Sequence, residues 1–147
     1  MAQPTTARPG KMRILLGNGG GPEVFSAPCG MTTKGLTITK NLSEVSIPDC
    51  DDPDAAFWQA RDVESLSAAI SGEGVLAAES EDEWNAAAFS TDAINVKVEI
   101  EFSTGTRTYT GAFHIDSFAV SAQQGQRVSA NISMQSDGIL SSAWVAA

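Results

Sequence analysis

Two-residue alternation over the last third of the chain constrains the fold more than any other feature. Ile94, Val96, Val98, Ile100 and Phe102 alternate with Asn95, Lys97, Glu99 and Glu101. A turn at Gly105 leads into Tyr109, Gly111, Phe113 and Ile115. After a Gln123-Gln124-Gly125 turn, Val128, Ala130, Ile132 and Met134 alternate with Ser129, Asn131, Ser133 and Gln135. Successive side chains of a strand point to opposite faces, so each run offers one apolar and one polar face. Three such runs joined by short turns make an antiparallel meander.

The rest of the chain is read against that meander. Residues 1–11 hold Pro4, Pro9 and Gly10 among polar residues, which predicts a flexible arm. Lys11 to Leu16 and Glu23 to Ala27 are short strands around a glycine turn, and Leu36 and Ile38 mark a half-buried strand. Ser43 to Arg61, rich in Asp and holding Pro48 and Pro53, is expected to be a long loop. Val63, Leu66, Ala68 and Ile70 suggest a further strand whose period shifts between Val63 and Leu66, as a bulge would produce. Ser80 to Phe89 is the one helix: Ser80 and Glu83 fit a capping box, and Trp84, Ala87 and Ala88 share one face. The expected fold is mainly β with one α-helix, an antiparallel β-sandwich or partial barrel spanning residues 12–147 as one domain.

Composition narrows the function. The chain has 147 residues, enough to bury a core without disulfide or metal staples, and carries nine basic against eighteen acidic groups. The charge is segregated: residues 1–43 carry +4, residues 44–101 carry −13, and residues 102–147 balance. With so few cations, a phosphate-gripping nucleic-acid binder is disfavoured. No apolar run is long enough for a membrane helix, and the polar start predicts no cleaved leader. Cys29 and Cys50 are then expected to be reduced thiols.

Catalytic readings fail on context. Gly17 to Gly21 lacks the Lys-Ser/Thr of a phosphate loop, and Pro22 and a β-like segment follow it rather than a helix. His114 and Asp116 share a strand face, but one imidazole and one carboxylate do not make a zinc site. Asp49, Asp51, Asp52 and Asp54 crowd one loop, yet Pro53 occupies a ligand position of the EF-hand pattern and no glycine follows it. No nucleophile elbow is present. No cofactor, no metal and no enzyme activity are expected.

The stretch Arg13-Ile14-Leu15-Leu16-Gly17-Asn18-Gly19-Gly20-Gly21-Pro22-Glu23-Val24-Phe25 resembles the opening of the tail tube (major tail) proteins of long-tailed phages. The order that follows is also similar to that family: a Cys-Gly-Met segment, a Thr-rich strand at Thr32 to Lys40, a long acidic loop and an alanine-rich helix with Trp84. Hairpin strands around Thr110-Gly111-Ala112-Phe113 and a closing Ser133-Met134-Gln135-Ser136-Asp137-Gly138 complete it. The chain departs from the family at Ser46-Ile47-Pro48-Asp49-Cys50-Asp51. The tail tube of bacterial gene transfer agents fits equally well. A secretion-system tube protein or a small cytosolic β-sandwich binding module are the alternatives.

The resemblance implies a structural subunit of a virion or phage-like particle, made in the bacterial cytoplasm. Six copies would join sheets into one ring-wide β-barrel, and rings would stack into a conduit for DNA. Its partners would be further copies of itself, a tail terminator, and distal tail or tape-measure proteins. DNA would pass without specific binding. Contacts between subunits or rings would fall to Asp49, Asp51, Asp52, Asp54, Phe57, Trp58 and Arg61. The +4 and −13 segments would meet between neighbours. The lumen would be lined either by Asn95, Glu99 and Glu101 or by Ser129, Asn131, Ser133 and Gln135.

Overall fold

A computed structural model describes residues 2–19 and 21–147. A single 3-10 turn, Pro9–Lys11, leads into β1 (Met12–Gly17) and β2 (Phe25–Ser26). Then come β3 (Met31–Ser46), β4 (Gln59–Val75), α1 (Ala78–Phe89), β5 (Ile94–Phe102), β6 (Gly105–Ser121), β7 (Ser129–Ser136) and β8 (Ser141–Ala146). All eight strands belong to one antiparallel sheet in the order β2-β1-β5-β6-β7-β4-β3, with β8 on β6. The expected meander is present as β5-β6-β7, in the register Ile94↔Phe113 and Phe113↔Ser136.

The sheet does not lie flat. Ile14, Leu16, Val96 and Val98 from one half pack in one buried cluster with Ala68, Ile70, Ile132 and Met134 from the other. The two ends of the sheet approach each other, for Lys34 Nζ of β3 donates to the Met12 carbonyl of β1, the strand next to β2, at 2.7 Å. The sheet is therefore an open sandwich. β1, β5, β8 and the first half of β6 form one half; β3, β4, β7 and the second half of β6 form the other. β6 passes between them, with an irregularity in its pairing to β7 between Ile115 and Ser117. An extra residue in one strand bends it and sharpens its twist, which suits a strand that changes layers.

Helix α1 closes the core. Trp84 is 2% exposed and Ser80 also 2%, with Ala87 and Ala88 half-buried behind them. Burying a large apolar side chain is worth roughly 1.5–3 kcal/mol, so Trp84 alone accounts for much of the helix's attachment.

Several expectations need correction. The helix starts at Ala78 after an Ala77 N-cap that makes no side-chain cap, so the capping box at Ser80 does not form. Ser80 Oγ instead donates to the Cys29 carbonyl at 3.0 Å, tying the helix to the segment before β3. The resumed strand at Glu23 to Ala27 shrinks to Phe25–Ser26. The long loop expected at Ser43 to Arg61 is present over residues 47–58, but its two ends are strand: β3 runs to Ser46 and β4 begins at Gln59. Arg61 lies inside β4 opposite Glu44. The bulge expected near Val63 is real, with Ser65 opposite Asn41 and Val63 opposite Leu42, so that Glu64 is the extra residue. β8 was not foreseen.

Candidate functional site

Register assigns the candidates that lie in strands to faces. Along β5, Val96 and Val98 point into the sandwich, so Asn95, Glu99 and Glu101 lie on its outer surface. Along β7, Ala130, Ile132 and Met134 are buried, so Ser129, Asn131, Ser133 and Gln135 lie outside as well. The two sets belong to opposite halves of the sandwich. Because the sheet curls around its core, they point away from each other.

The surface carrying Asn95, Glu99 and Glu101 is charged and internally paired. Arg13 of β1 reaches Glu99 at 3.0 Å and Glu101 at 3.3 Å, and Lys11 reaches Glu101 at 3.6 Å. The Glu99 hydrogen bond raises the Arg13 pKa above the ordinary arginine value, with the charges of Glu99 and Glu101 adding to it against partial desolvation. Lys97 stacks over the Phe25 ring at 4.2 Å. Asn95 Nδ2 donates to Glu23 at 2.7 Å. The other Glu23 oxygen is buried without a partner beside Gly17, in the wall of a cavity of about 370 Å³ between the glycine turn and α1. Gly20, part of the Gly17 to Gly21 motif, lies outside the described residues. Lys11 and Arg13, two of the five cations of the basic segment, thus meet acids of their own chain.

The opposite surface has another chemistry. Outward positions of β7 are flanked by Ser71 and Glu73 of β4, Thr33 and Thr37 of β3, and Ser117 and Ser121 of β6. No lysine or arginine occupies an outward position on these four strands, by the same register. Hydroxyls and amides bond to one another: Ser121 and Ser129 Oγ lie 2.9 Å apart, and Gln135 Nε2 donates to Asp116 at 3.4 Å. His114 pairs with Asp137 at 3.2 Å rather than with Asp116. Among the described residues no three metal-ligating side chains converge, the loop aspartates included. Cys29 and Cys50 are exposed free thiols, and among the described residues no helix is long and apolar enough to cross a membrane.

The remaining feature is an arm. β7 pairs β4 only from Ala69 onward, so residues 59–68 of β4 have β3 as their sole partner strand. The hairpin 39–46/59–67 projects from the sandwich. Ile38, Leu42, Val63 and Leu66, 52–64% exposed, share one face with Lys40, Glu44 and Arg61. Asn41, Ser43 and Ser65 share the other. At the tip Asp49, Asp51, Asp52 and Asp54 precede Phe57 and Trp58, the latter 94% exposed. Arg61 reaches Glu44 at 3.6 Å across the hairpin.

Several strand edges are also unpaired. β3 is an end strand of 16 residues, β8 pairs only β6, and residues 59–68 of β4 pair only β3. β6 has no partner beyond Phe113 on the side where β5 ends. Long open edges of this kind are templates for pairing with another chain.

No curated protein matches the chain. Among solved structures it is similar to a chain of the virion of a native gene transfer agent particle, at 21% identity and TM-score 0.69, covering 94% of this chain and 99% of that one. It is also similar to a chain from the tail of an empty gene transfer agent particle refined with C6 symmetry, at 22% identity and TM-score 0.70, over 92% and 98%. The SPP1 tail tube shares the fold at 11% identity and TM-score 0.65, over 97% and 80%. The pattern that defines the phage tail tube proteins matches residues 7–142. With that match over most of its length, the chain belongs to the phage tail tube protein family, which is structural and not catalytic.

Proposed function

We propose that the protein forms hexameric rings that stack into a hollow tube, and that DNA passes through the tube into a recipient cell. The observation that carries this reading is the match to the tail tube family over residues 7–142. The C6 symmetry of the similar gene transfer agent tail supports six copies per ring. The open edges of β3 and of the second half of β6 are the pairing surfaces, and joining them around a ring makes one continuous barrel without edges.

In that ring the edges of β3 and of the second half of β6 are the ones that join, so the lumen is lined by the half that bears them, and hence by Ser129, Asn131, Ser133 and Gln135. What favours this half is its outward chemistry, hydroxyls and amides without a cation, on which a polyanion finds no counterion to displace. Asn95, Glu99 and Glu101 lie on the opposite side, away from the channel. The arm with Asp49, Asp51, Asp52, Asp54, Phe57, Trp58 and Arg61 makes contacts between subunits and rings. A tail terminator and distal tail or tape-measure proteins cap the tube, which is assembled in the bacterial cytoplasm as part of a phage or a gene transfer agent.

Negative-stain microscopy of concentrated purified protein tests the reading. Rings or tubes are expected. A monodisperse monomer at every concentration and salt, with no tube in particles, overturns it.

A further inference from the structure

An apolar cleft of about 460 Å³ opens where the two halves of the sandwich part, between the root of the arm and β8. Ile38, Leu66 and Ala68 line one wall, Ile139 and Leu140 the other, with Tyr109 among them. Leu66 is 64% exposed and Ile139 89%. Two cations flank the cleft on the same inward face: Lys40 lies opposite Leu66 on the arm, and Arg107 is two residues from Tyr109 on β6. Neither meets a carboxylate among the described residues; Arg107 rests on the Trp144 ring at 5.4 Å.

The tip of the arm offers the matching surface. Four aspartates stand beside Phe57 and Trp58, and the most exposed aromatic of the chain is among them. The tip cannot reach the cleft of its own chain. Ser46 is nine residues beyond Thr37, the last β3 residue whose β4 partner is still paired to β7, which places the tip roughly 30 Å outward at the usual rise per residue. The cleft lies at the arm's root. Any occupant of this chemistry must come from another copy, and in a heterologous interface a patch on one subunit meets a different patch on the next.

We propose that the Phe57-Trp58 tip of one copy inserts into the Ile38/Leu66/Tyr109/Leu140 cleft of a second copy, with the loop aspartates against that copy's Lys40 and Arg107. The proposal rests on the tube reading and gives its arm a receptor. An aromatic pair fills an apolar cleft of this size, and buried aromatics commonly dominate protein interfaces. Charge complementarity around the cleft sets the register and suppresses wrong contacts.

The test traps the contact. In a chain carrying C29S and C50S, A56C places a thiol beside the tip aromatics and S142C places one in the cleft wall. Tubes of the doubly substituted chain should give a ladder of disulfide-linked oligomers under mild oxidation, whereas tubes with either cysteine alone should not. A second variant, W58A, should raise the concentration needed for assembly at least tenfold while circular dichroism shows a folded chain. Tubes of A56C/S142C without a ladder, or W58A tubes at the unsubstituted concentration, overturn the proposal and leave the tube reading standing. Failure of the unsubstituted protein to form any tube removes both.

Discussion

Gly105 shows how a single position holds the fold's last strand in place. A Cβ built there would stand 2.6 Å from the Trp144 ring and 2.6 Å from the Val145 carbonyl, so β8 would have to move. Gly105→Ala is expected to lose about 1–3 kcal/mol, the usual range for overpacking, read as a lower urea midpoint. Gly10→Ala, where a Cβ meets nothing within 4 Å, should leave the midpoint unchanged. Arg13 makes a contrasting prediction. Its pKa is raised in the folded chain, so the stability it carries is fully present below its unfolded value and is lost only as pH rises past its folded one. At any pH used for assembly it therefore adds no pH dependence of its own. Arg13→Ala should cost about 0.5 kcal/mol, since the pair is partly exposed, and the cost should shrink with added salt. Ser80 was misread at this scale because Ser followed by Glu at the third position is also what a buried serine bonded to another segment looks like. Only the partner, the Cys29 carbonyl, tells them apart.

At the scale of elements, strands with a buried face were legible and strands without one were not. β5, β6 and β7 announce themselves because one face meets the core, whereas the outer parts of β3 and β4 and all of β8 are exposed. Along the arm the bulge at Glu64 shifts the side-chain period, and the loop composition of the connection, with Pro48 and Pro53, masks the strand ends beside it. The arm's two faces are therefore hard to separate by counting. A two-stranded ribbon with no cover is marginal in water. Backbone amides of residues 39–46 and 59–66 should accordingly exchange hydrogen fast in the free chain, near the fraying limit. They should become protected by orders of magnitude in tubes, while β5 and β7 change little. Exchange that is slow in both states would show that the arm is stable by itself and needs no neighbour.

For the whole molecule, alternation revealed that β5 and β7 each have a polar face but not that curling of the sheet turns these faces apart. That relation depends on Lys34 meeting Met12 and on a core shared by distant strands, neither of which is a local pattern. Once the halves are distinguished, the choice of channel wall becomes an electrostatic one. A conduit for DNA must not hold it, and each phosphate neutralised by a fixed cation adds affinity that falls with salt, by a slope of about 0.9 per contact. The surface of β3, β4, β7 and the second half of β6 carries Glu73 and Asp116 outward and no lysine or arginine, so phosphates there meet hydroxyls, amides and like charge without a fixed cation. Adding cations should convert this wall into a brake. Asn131→Lys with Ser133→Lys alters outward β7 positions without touching the core, so tubes should form at normal yield. Particles carrying the pair should deliver DNA at least tenfold more slowly at low salt and recover as salt rises. Thr106→Lys, beside Glu101 on the opposite half, should deliver DNA at the unsubstituted rate, because on the proposed assignment its charge faces away from the channel and it is neutralised by that glutamate. If the pair leaves delivery unchanged and Thr106→Lys slows it, the channel runs along the other half and the assignment of walls is reversed.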